Sequence, residues 1–169
     1  FMDGDPPTQY LYRAFSNLDW HLSKDWQLNL GGLLEKDGYR VPQFSPRAFI
    51  NWQAAPGHTL RAGYARAWQQ ANPFNLYSSL RVYEPRSGVL VAWPYLPNHE
   101  LRTPHVDTIE AGYLGRFRPL DTTVDVRLFR ERIEDFMVRR TLVSPAGNLP
   151  LPLYTTQFVN LDTPVILNG

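Results

Sequence analysis

The sequence contains no cysteine, carries almost no net charge and has no long apolar run. Without cysteine there are no disulfides, no thiol catalysis and no cysteine-ligated metal. A formal net charge of +1 at pH 7 provides no basic field for nucleic acid and no acidic field for cationic partners. No apolar stretch approaches the roughly 20 residues of a membrane-spanning helix, so any insertion into a membrane must use strands.

What the sequence does contain is alternation of apolar and polar residues, the pattern of a β-strand with two different faces. The alternation is clearest over residues 44–69, where two arms flank a turn at Pro56 and Gly57. Trp52 lies near this turn and Trp68 near the open end, so the apolar side carries an aromatic ring toward each extremity. Transmembrane barrel strands have this layout, about 10 residues long with aromatic girdles at both interfaces, although a soluble sandwich also alternates.

The same pattern recurs along the chain. It predicts strands over residues 9–22, 26–35, both arms of 44–69, 108–117 and 122–138, and a seventh that begins near Tyr154 and runs to the end. The connections alternate between short and long; the pattern dissolves for some 35 residues after Gln69, and a second long loop covers residues 140–153. A meander then has its short turns at one end and its long loops at the other, as outer-membrane barrels do. The sequence therefore predicts an all-β fold, an antiparallel meander of about seven long strands.

Three segments, in order along the chain, resemble the barrel of a TonB-dependent outer-membrane receptor. The first is S-P-R at residues 45–47, followed by T-L-R-A-G-Y-A-R-A-W at residues 59–68. The second is N-H-E-L-R at residues 98–102, followed by E-A-G-Y at residues 110–113. The third is L-F-R-E-R-I-E-D-F at residues 128–136, with F-V-N at residues 158–160 similar to the start of the next strand.

This resemblance implies that residues 1–169 are part of a single barrel domain, truncated at both ends and without a plug domain. It implies an incomplete arc of a roughly 22-stranded transmembrane β-barrel in the bacterial outer membrane. The implied function is transport without catalysis, in which a scarce nutrient such as a ferric siderophore is bound and imported with energy passed through TonB. The implied partners are outer-membrane lipid, the plug domain of the same receptor, TonB through the missing N-terminal part, and the ligand; no cofactor or nucleic acid is implied.

Candidate ligand-binding residues lie on the first long loop and its approach. Aromatic rings on an exposed loop can clamp the apolar or aromatic groups of a ligand. An aromatic cluster internal to the loop, or an interfacial belt, is the alternative interpretation. The candidates are Trp68, Gln69, Asn72, Phe74, Tyr77, Tyr83, Trp93 and Tyr95.

A second group of candidates lies on the polar side of the predicted strands. In a barrel these residues line the lumen, where they meet a plug or ligand or simply form a solvated, ion-paired wall. They are Arg61, Glu110, Asp125, Arg127 and Glu131. Arg66 falls instead on the apolar side near the long loops, which predicts snorkelling to the interface or a bulge that re-aims it into the lumen. The four histidines show no metal-ligand spacing, and no catalytic set is recognisable.

Two other classes of protein fit the alternation. One is a complete eight-stranded outer-membrane barrel that acts as an adhesin, an anchor or a lipid-modifying enzyme. The other is a soluble β-sandwich that binds a carbohydrate or a protein. A sandwich would seal Leu28, Ile50, Tyr64 and Val126 between two sheets, whereas a barrel wall would leave them facing outward.

Overall fold

The computed structural model describes residues 10–38, 41–69, 72–143 and 154–169, which form two compact units. Of these described residues, 10–38, 41–68, 105–134 and 164–169 belong to one unit, and 69, 72–104, 135–143 and 154–163 belong to the other. In chain order the elements are β1 (Leu11–His21), β2 (Trp26–Asp37), β3 (Gln43–Ala55), β4 (His58–Trp68), α1 (Pro73–Tyr77), β5 (Leu80–Tyr83), β6 (Leu90–Leu96), β7 (His105–Phe117), β8 (Thr122–Glu134), β9 (Met137–Val143), β10 (Tyr154–Asn160) and β11 (Val165–Asn168).

The first unit is a seven-stranded sheet with the strand order β1-β2-β3-β4-β7-β8-β11. Every neighbouring pair in it is antiparallel. This confirms the predicted antiparallel meander of about seven strands. The strands at the two ends of the order, β1 and β11, do not pair with each other. The sheet formed by the described residues is therefore open and is not a closed eight-stranded barrel.

The strand register fixes which residues share a face, because directly opposed residues point to the same side. One row runs through Leu28, Ile50, Ala62, Ala111 and Leu128, and defines the apolar face. The adjacent row belongs to the other side, the polar face, and runs through Gln27, Asn51, Arg61, Gly112 and Arg127. The alternation in the sequence therefore predicted the faces correctly.

The apolar face is not the interior of a sandwich. Val126 is 47% exposed. Leu28, Ile50 and Tyr64 are all partly exposed. The soluble-sandwich interpretation required these four side chains to be sealed between two layers, and the structure does not seal them.

Aromatic rings lie at both ends of the apolar face. Near the short turns, Trp26 and Trp52 are directly opposed and stack with their ring centroids 5.3 Å apart. At the other end, the indole N–H of Trp68 donates to the carbonyl oxygen of Phe44 at 2.8 Å. These rings form the two-girdle layout that the sequence predicted.

The turn between β3 and β4 contains Gly57 at a φ of 86°, a conformation that glycine adopts without a steric penalty.

The second unit combines α1 with a four-stranded sheet in the order β5-β6-β10-β9. Strand β10 pairs antiparallel with β9 and parallel with β6. The side chain of Asn72 caps α1 by accepting the Phe74 N–H at 2.9 Å. Leu76 and Leu101 are buried between these elements, and the partly buried hydrophobic residues packed on them are Tyr77, Met137 and Phe158.

The expectation of a structureless loop after Gln69 is wrong, because α1, β5 and β6 lie in that segment. Strand β5 has only four residues, and its register against β6 shifts twice. Strand β6 takes its other partner, β10, from far along the sequence. Short irregular strands with a distant partner leave no period-two signal, which explains why the pattern dissolved there.

Two predicted strands each turn out to be two strands in different sheets. The segment 122–138 divides at Asp135, whose positive φ of 56° ends β8 before β9 begins. The segment from Tyr154 onward divides between β10 and β11, with residues 161–164 intervening. The predicted loop over residues 140–153 is also corrected, since β9 extends to Val143; the rest of that segment lies outside the described residues.

Candidate functional site

Several of the predicted ligand-binding residues come together in the second unit. Phe74 of α1 meets Tyr95 of β6 edge-to-face, with ring centroids 5.3 Å apart. Tyr77 lies 5.2 Å from the ring of His99. Phe74 keeps 41% of its surface exposed, so this ring remains available to a ligand.

A second group surrounds Trp93 of β6. The guanidinium of Arg81 lies over the Trp93 ring, 4.4 Å from its centroid. The indole N–H of Trp93 donates to the Ser79 hydroxyl at 3.3 Å. Tyr83, at the end of β5, is 51% exposed. The sequence offered no pattern that would have singled out Arg81 or Ser79, because their role depends on the pairing of β5 with β6.

Three of the predicted residues do not join these groups. Trp68 belongs to the seven-stranded sheet, where its ring lies 4.5 Å from that of His105. Gln69 is held by its backbone, whose N–H donates to the Pro104 carbonyl at 2.9 Å. Asn72 has a structural contact as the cap of α1.

The turn between β5 and β6 is organised by one carboxylate. Glu84 accepts hydrogen bonds from the backbone N–H groups of Arg86 and Ser87 and from the Ser87 hydroxyl. The Ser87 hydroxyl and these two amides hold the pKa of Glu84 below its ordinary value. The turn therefore presents a fixed negative charge at neutral pH.

A polar junction ties the ends of three segments of the second unit together. The side chain of Asn160 accepts from the Arg102 N–H at 2.7 Å and donates to the carbonyl oxygens of Arg102 at 3.0 Å and Asp135 at 2.6 Å. The Arg102 guanidinium pairs with the Asp135 carboxylate at 2.6 Å. Asn98 donates to the Phe158 carbonyl at 2.8 Å. The family resemblance included Asn98, Arg102 and Asn160, but the candidate site omitted them.

All five predicted lumen residues share the polar face of the seven-stranded sheet. Three of them form one network, in which Glu110 is buried and accepts from Arg61 at 3.1 Å and from Arg127 at 2.5 Å. Asp125 is exposed and Glu131 is half-buried. That this face lines a lumen remains a prediction.

Phe49 is an apolar residue on the polar face, and the structure shows how that face accommodates it. Its ring lies over Gly63, which directly opposes it, so a side chain at Gly63 would collide with the ring. The Arg61 guanidinium stacks on the same ring, 4.2 Å from its centroid. An apolar side chain is accommodated here because a glycine leaves room below it and a cation covers it.

Arg66 does lie on the apolar face. Its guanidinium donates twice to Asp107, at 2.7 and 2.8 Å, and the Tyr64 hydroxyl donates to the same carboxylate at 2.6 Å. The register between β4 and β7 has no shift, so the interpretation that a bulge turns Arg66 toward the lumen is wrong. His105 lies 3.8 Å from Asp107 and forms the edge of this cluster.

No helix in the described part of the chain is long and apolar enough to cross a membrane. Within the same ranges, no group of three or more His, Asp or Glu side chains is arranged to hold a metal ion.

An open antiparallel meander with one apolar face, one polar face and ordered long connections defines a segment of a β-barrel wall. Residues 3–165 match the profile of the TonB-dependent receptor-like β-barrel, and the chain belongs to this family. The resemblance noted in the sequence is thereby confirmed.

Similar solved structures share this fold. The siderophore receptor PirA from Pseudomonas aeruginosa has a TM-score of 0.76 at 19% identity, over 95% of this chain and 30% of that one. A mutant of the ferric enterobactin receptor PfeA from Pseudomonas aeruginosa has a TM-score of 0.72 at 16% identity, over 95% of this chain and 23% of that one. A double mutant of the hemophore receptor HasR from Serratia marcescens, in complex with its hemophore HasA and heme, has a TM-score of 0.73 at 13% identity, over 95% of this chain and 31% of that one. The chain thus spans less than a third of each; no curated protein matches it.

Proposed function

We propose that this chain is part of an outer-membrane active transporter that binds and imports a scarce nutrient such as a ferric siderophore, energised through TonB. Membership of the TonB-dependent receptor barrel family supports this. The similar structures are receptors for a siderophore, for ferric enterobactin and for a heme-carrying hemophore. Receptors of this kind move a ligand without covalent chemistry, which agrees with the expectation that the protein is not an enzyme.

The observation that carries the proposal is the ordered second unit, with its exposed aromatic rings. Connections that served only to join strands would need no capped helix, no buried Leu76–Leu101 contact and no Asn160 junction. A preordered surface loses less conformational entropy when it binds a ligand. In this proposal Phe74, Tyr83, Trp93 and Tyr95 contact the ligand, and Asn72 and Tyr77 hold α1 in place. Trp68 and Gln69 remain candidates from the sequence alone.

The proposal extends to the seven-stranded sheet. We infer that residues 1–169 are part of one barrel domain in the bacterial outer membrane, with the apolar face toward lipid and the polar face toward the lumen. Arg61, Glu110 and Arg127 would then present a charged network to the plug domain, with Asp125 and Glu131 beside it. The buried Glu110 between two cations supports this, since such a network gives a neighbouring domain several charged groups at fixed positions.

Ligand uptake by the full-length receptor tests the proposal. In iron-limited cells that lack their own siderophore receptors, we expect the receptor to import at least one radiolabelled ferric siderophore from a panel. Loss of TonB should abolish import but leave binding at the cell surface intact. The double substitution Trp93→Ala and Tyr95→Ala should weaken binding of that ferric siderophore by about tenfold to a hundredfold, because central aromatic contacts dominate binding energy. Tyr154→Ala, another exposed tyrosine of the same unit, is the matched control.

Two results would contradict the proposal. One is that no ferric complex binds or enters at any concentration tested. The other is import that continues unchanged without TonB, which would indicate a passive pore.

A further inference from the structure

Three arginines lie close together on the apolar face, near the long-loop ends of β4 and β8. Arg66 directly opposes Asp107, which in turn directly opposes Arg132. Arg130 lies two residues before Arg132 on the same face and directly opposes Ile109. Both Arg130 and Arg132 are exposed. A row of three arginines so close together is unexpected on a face whose large side chains are mostly aliphatic and aromatic.

The charges in this region do not cancel. Asp107 is occupied by the two bonds from Arg66 and the one from Tyr64. Glu134 pairs with Arg132 at 2.8 Å and lies 3.6 Å from His105. Within the described residues, Arg130 has no carboxylate within ion-pair distance. Three arginines therefore face two carboxylates, and one negative charge from outside the chain would balance the remaining positive charge.

The position of the row along the strands indicates its depth. On β7 the last apolar-face aromatic toward the short turns is Phe117, ten residues from Asp107. At about 3.4 Å per residue and a strand tilt of about 40°, this separation corresponds to a height of about 25 Å. That height equals the apolar band of an outer-membrane barrel, so the row of Arg66, Asp107 and Arg132 would lie where hydrocarbon gives way to headgroups. Arg130 begins slightly deeper and can extend to the same level through its aliphatic stem.

We propose that Arg130 and Arg132 bind the phosphate of an outer-leaflet lipid headgroup. The proposal rests on the outer-membrane placement proposed above. Two planar guanidinium groups on one strand face suit a phosphate, which accepts paired hydrogen bonds from each. The surface below them suits the acyl chain of the same molecule, since Ile109 and Leu128 are 62% and 63% exposed. Combining a cationic pair with an apolar strip favours a membrane lipid over a soluble anion.

Lipid binding to the full-length receptor in detergent tests this. The probe is bisphosphorylated lipid A, and native mass spectrometry measures its retention. Wild type should retain it, and Arg130→Gln with Arg132→Gln should weaken retention by roughly tenfold or more. Arg116→Gln with Arg118→Gln removes the same charge near the short turns and should have no effect. Removing the phosphates from lipid A should weaken its binding to the wild type at least as much as the two Gln substitutions weaken the binding of intact lipid A.

Folding and the source of the phosphate need separate controls. Arg130→Lys with Arg132→Lys keeps the charge and should retain most of the binding, while heat-modifiability on gels confirms a folded barrel in each variant. Equal lipid A retention by wild type and the Gln variant would overturn the proposal. So would inorganic phosphate that binds as tightly as lipid A, since the site would then be selective only for a free anion.

Siderophore uptake, measured on the same variants, separates this inference from the proposed function. Lipid retention that depends on Arg130 and Arg132 in a receptor that imports no ferric complex would leave the lipid site standing and remove the transport proposal. Normal siderophore uptake, with lipid retention that does not depend on Arg130 and Arg132, would leave the transport proposal standing and remove the lipid site.

Discussion

Glu110 holds together the charged part of the polar face. It is buried, and its two oxygens contact Arg61 of β4 and Arg127 of β8, so one carboxylate links three strands. Both arginine side chains are at least half exposed, at 50% and 61%, so water screens part of the interaction. The carboxylate itself is poorly solvated, and removing it leaves two cations facing each other.

We expect Glu110→Ala to lower the free energy of unfolding of the full-length receptor by about 1–2 kcal/mol. Loss of one partner from a fully buried ion pair costs about 3–5 kcal/mol, and the exposure of both arginines reduces that value. The midpoint of urea unfolding in lipid vesicles measures the change. Asp125→Ala, an exposed acidic residue on the same face, is the control and should shift stability by less than about 0.5 kcal/mol. Equal effects of the two substitutions would contradict a structural role for the network.

At the residue scale the sequence predicted the face of each side chain but not its partners. Period two is a local property, so it placed Arg61, Glu110 and Arg127 on one side correctly. Which cation meets Glu110 depends on the register between strands, which the alternation does not contain. Arg66 shows the same limit, since its place on the apolar face was predictable and its bonds to Asp107 were not.

At the scale of elements, the second unit depends on the junction of three residues: Asp135 just after β8, Asn160 at the end of β10, and Arg102 three residues before β7. Asn160 makes three hydrogen bonds to the backbone there, two to Arg102 and one to Asp135. Asp135 stands in the left-handed region at a φ of 56°, which a residue other than glycine adopts at some cost in energy. The bonds from Asn160 and Arg102 hold it there and direct the chain from one sheet into the other.

Asn160→Ala should therefore loosen the second unit while the seven-stranded sheet stays intact. Three lost bonds at a net value of about 1 kcal/mol each predict amide exchange at least 30-fold faster in β9 and β10. Hydrogen exchange read by mass spectrometry on the full-length receptor measures this, with β2 and β3 as the internal reference. Asp162→Asn removes a fully exposed carboxylate 4.0 Å from Arg102 and should change nothing measurable. Unchanged amide exchange in β9 and β10 of the Asn160→Ala variant would contradict the role of Asn160 in holding the second unit together.

The long, two-faced strands were the predictable elements, and the short ones were not. Strands β2, β3 and β4 lie close to their predicted bounds because a strand with one apolar face repeats its pattern over ten or more residues. The four residues of β5 are too few for such a pattern. The second unit is held by the parallel β6–β10 pairing and by Asn160, which join residues about 60 positions apart. Contacts over that distance leave no local trace in the sequence.

At the scale of the whole molecule, the chain taken alone exposes surfaces that a soluble protein covers. All 11 residues of β1 are exposed, and among the described residues no strand pairs with its outer edge. The apolar face carries exposed large side chains from the first strand to the last, among them Trp20, Leu60, Ile109, Leu128 and Ile166. Unpaired strand edges and large apolar patches both promote association between copies.

We therefore expect the 169-residue chain, expressed alone, to self-associate in water and to become dispersed when detergent covers its apolar face. Sedimentation velocity should show large aggregates in buffer and mostly small particles in detergent, with a β-rich circular dichroism spectrum in detergent. Ile109→Lys with Leu128→Lys should reduce aggregation in buffer by placing two charges in the middle of the apolar face. Thr108→Lys with Arg127→Lys, on the polar face of the same two strands, should not reduce it. A monomer that stays folded and dispersed in plain buffer would show that the apolar face is covered in water, and it could then no longer be assigned to lipid.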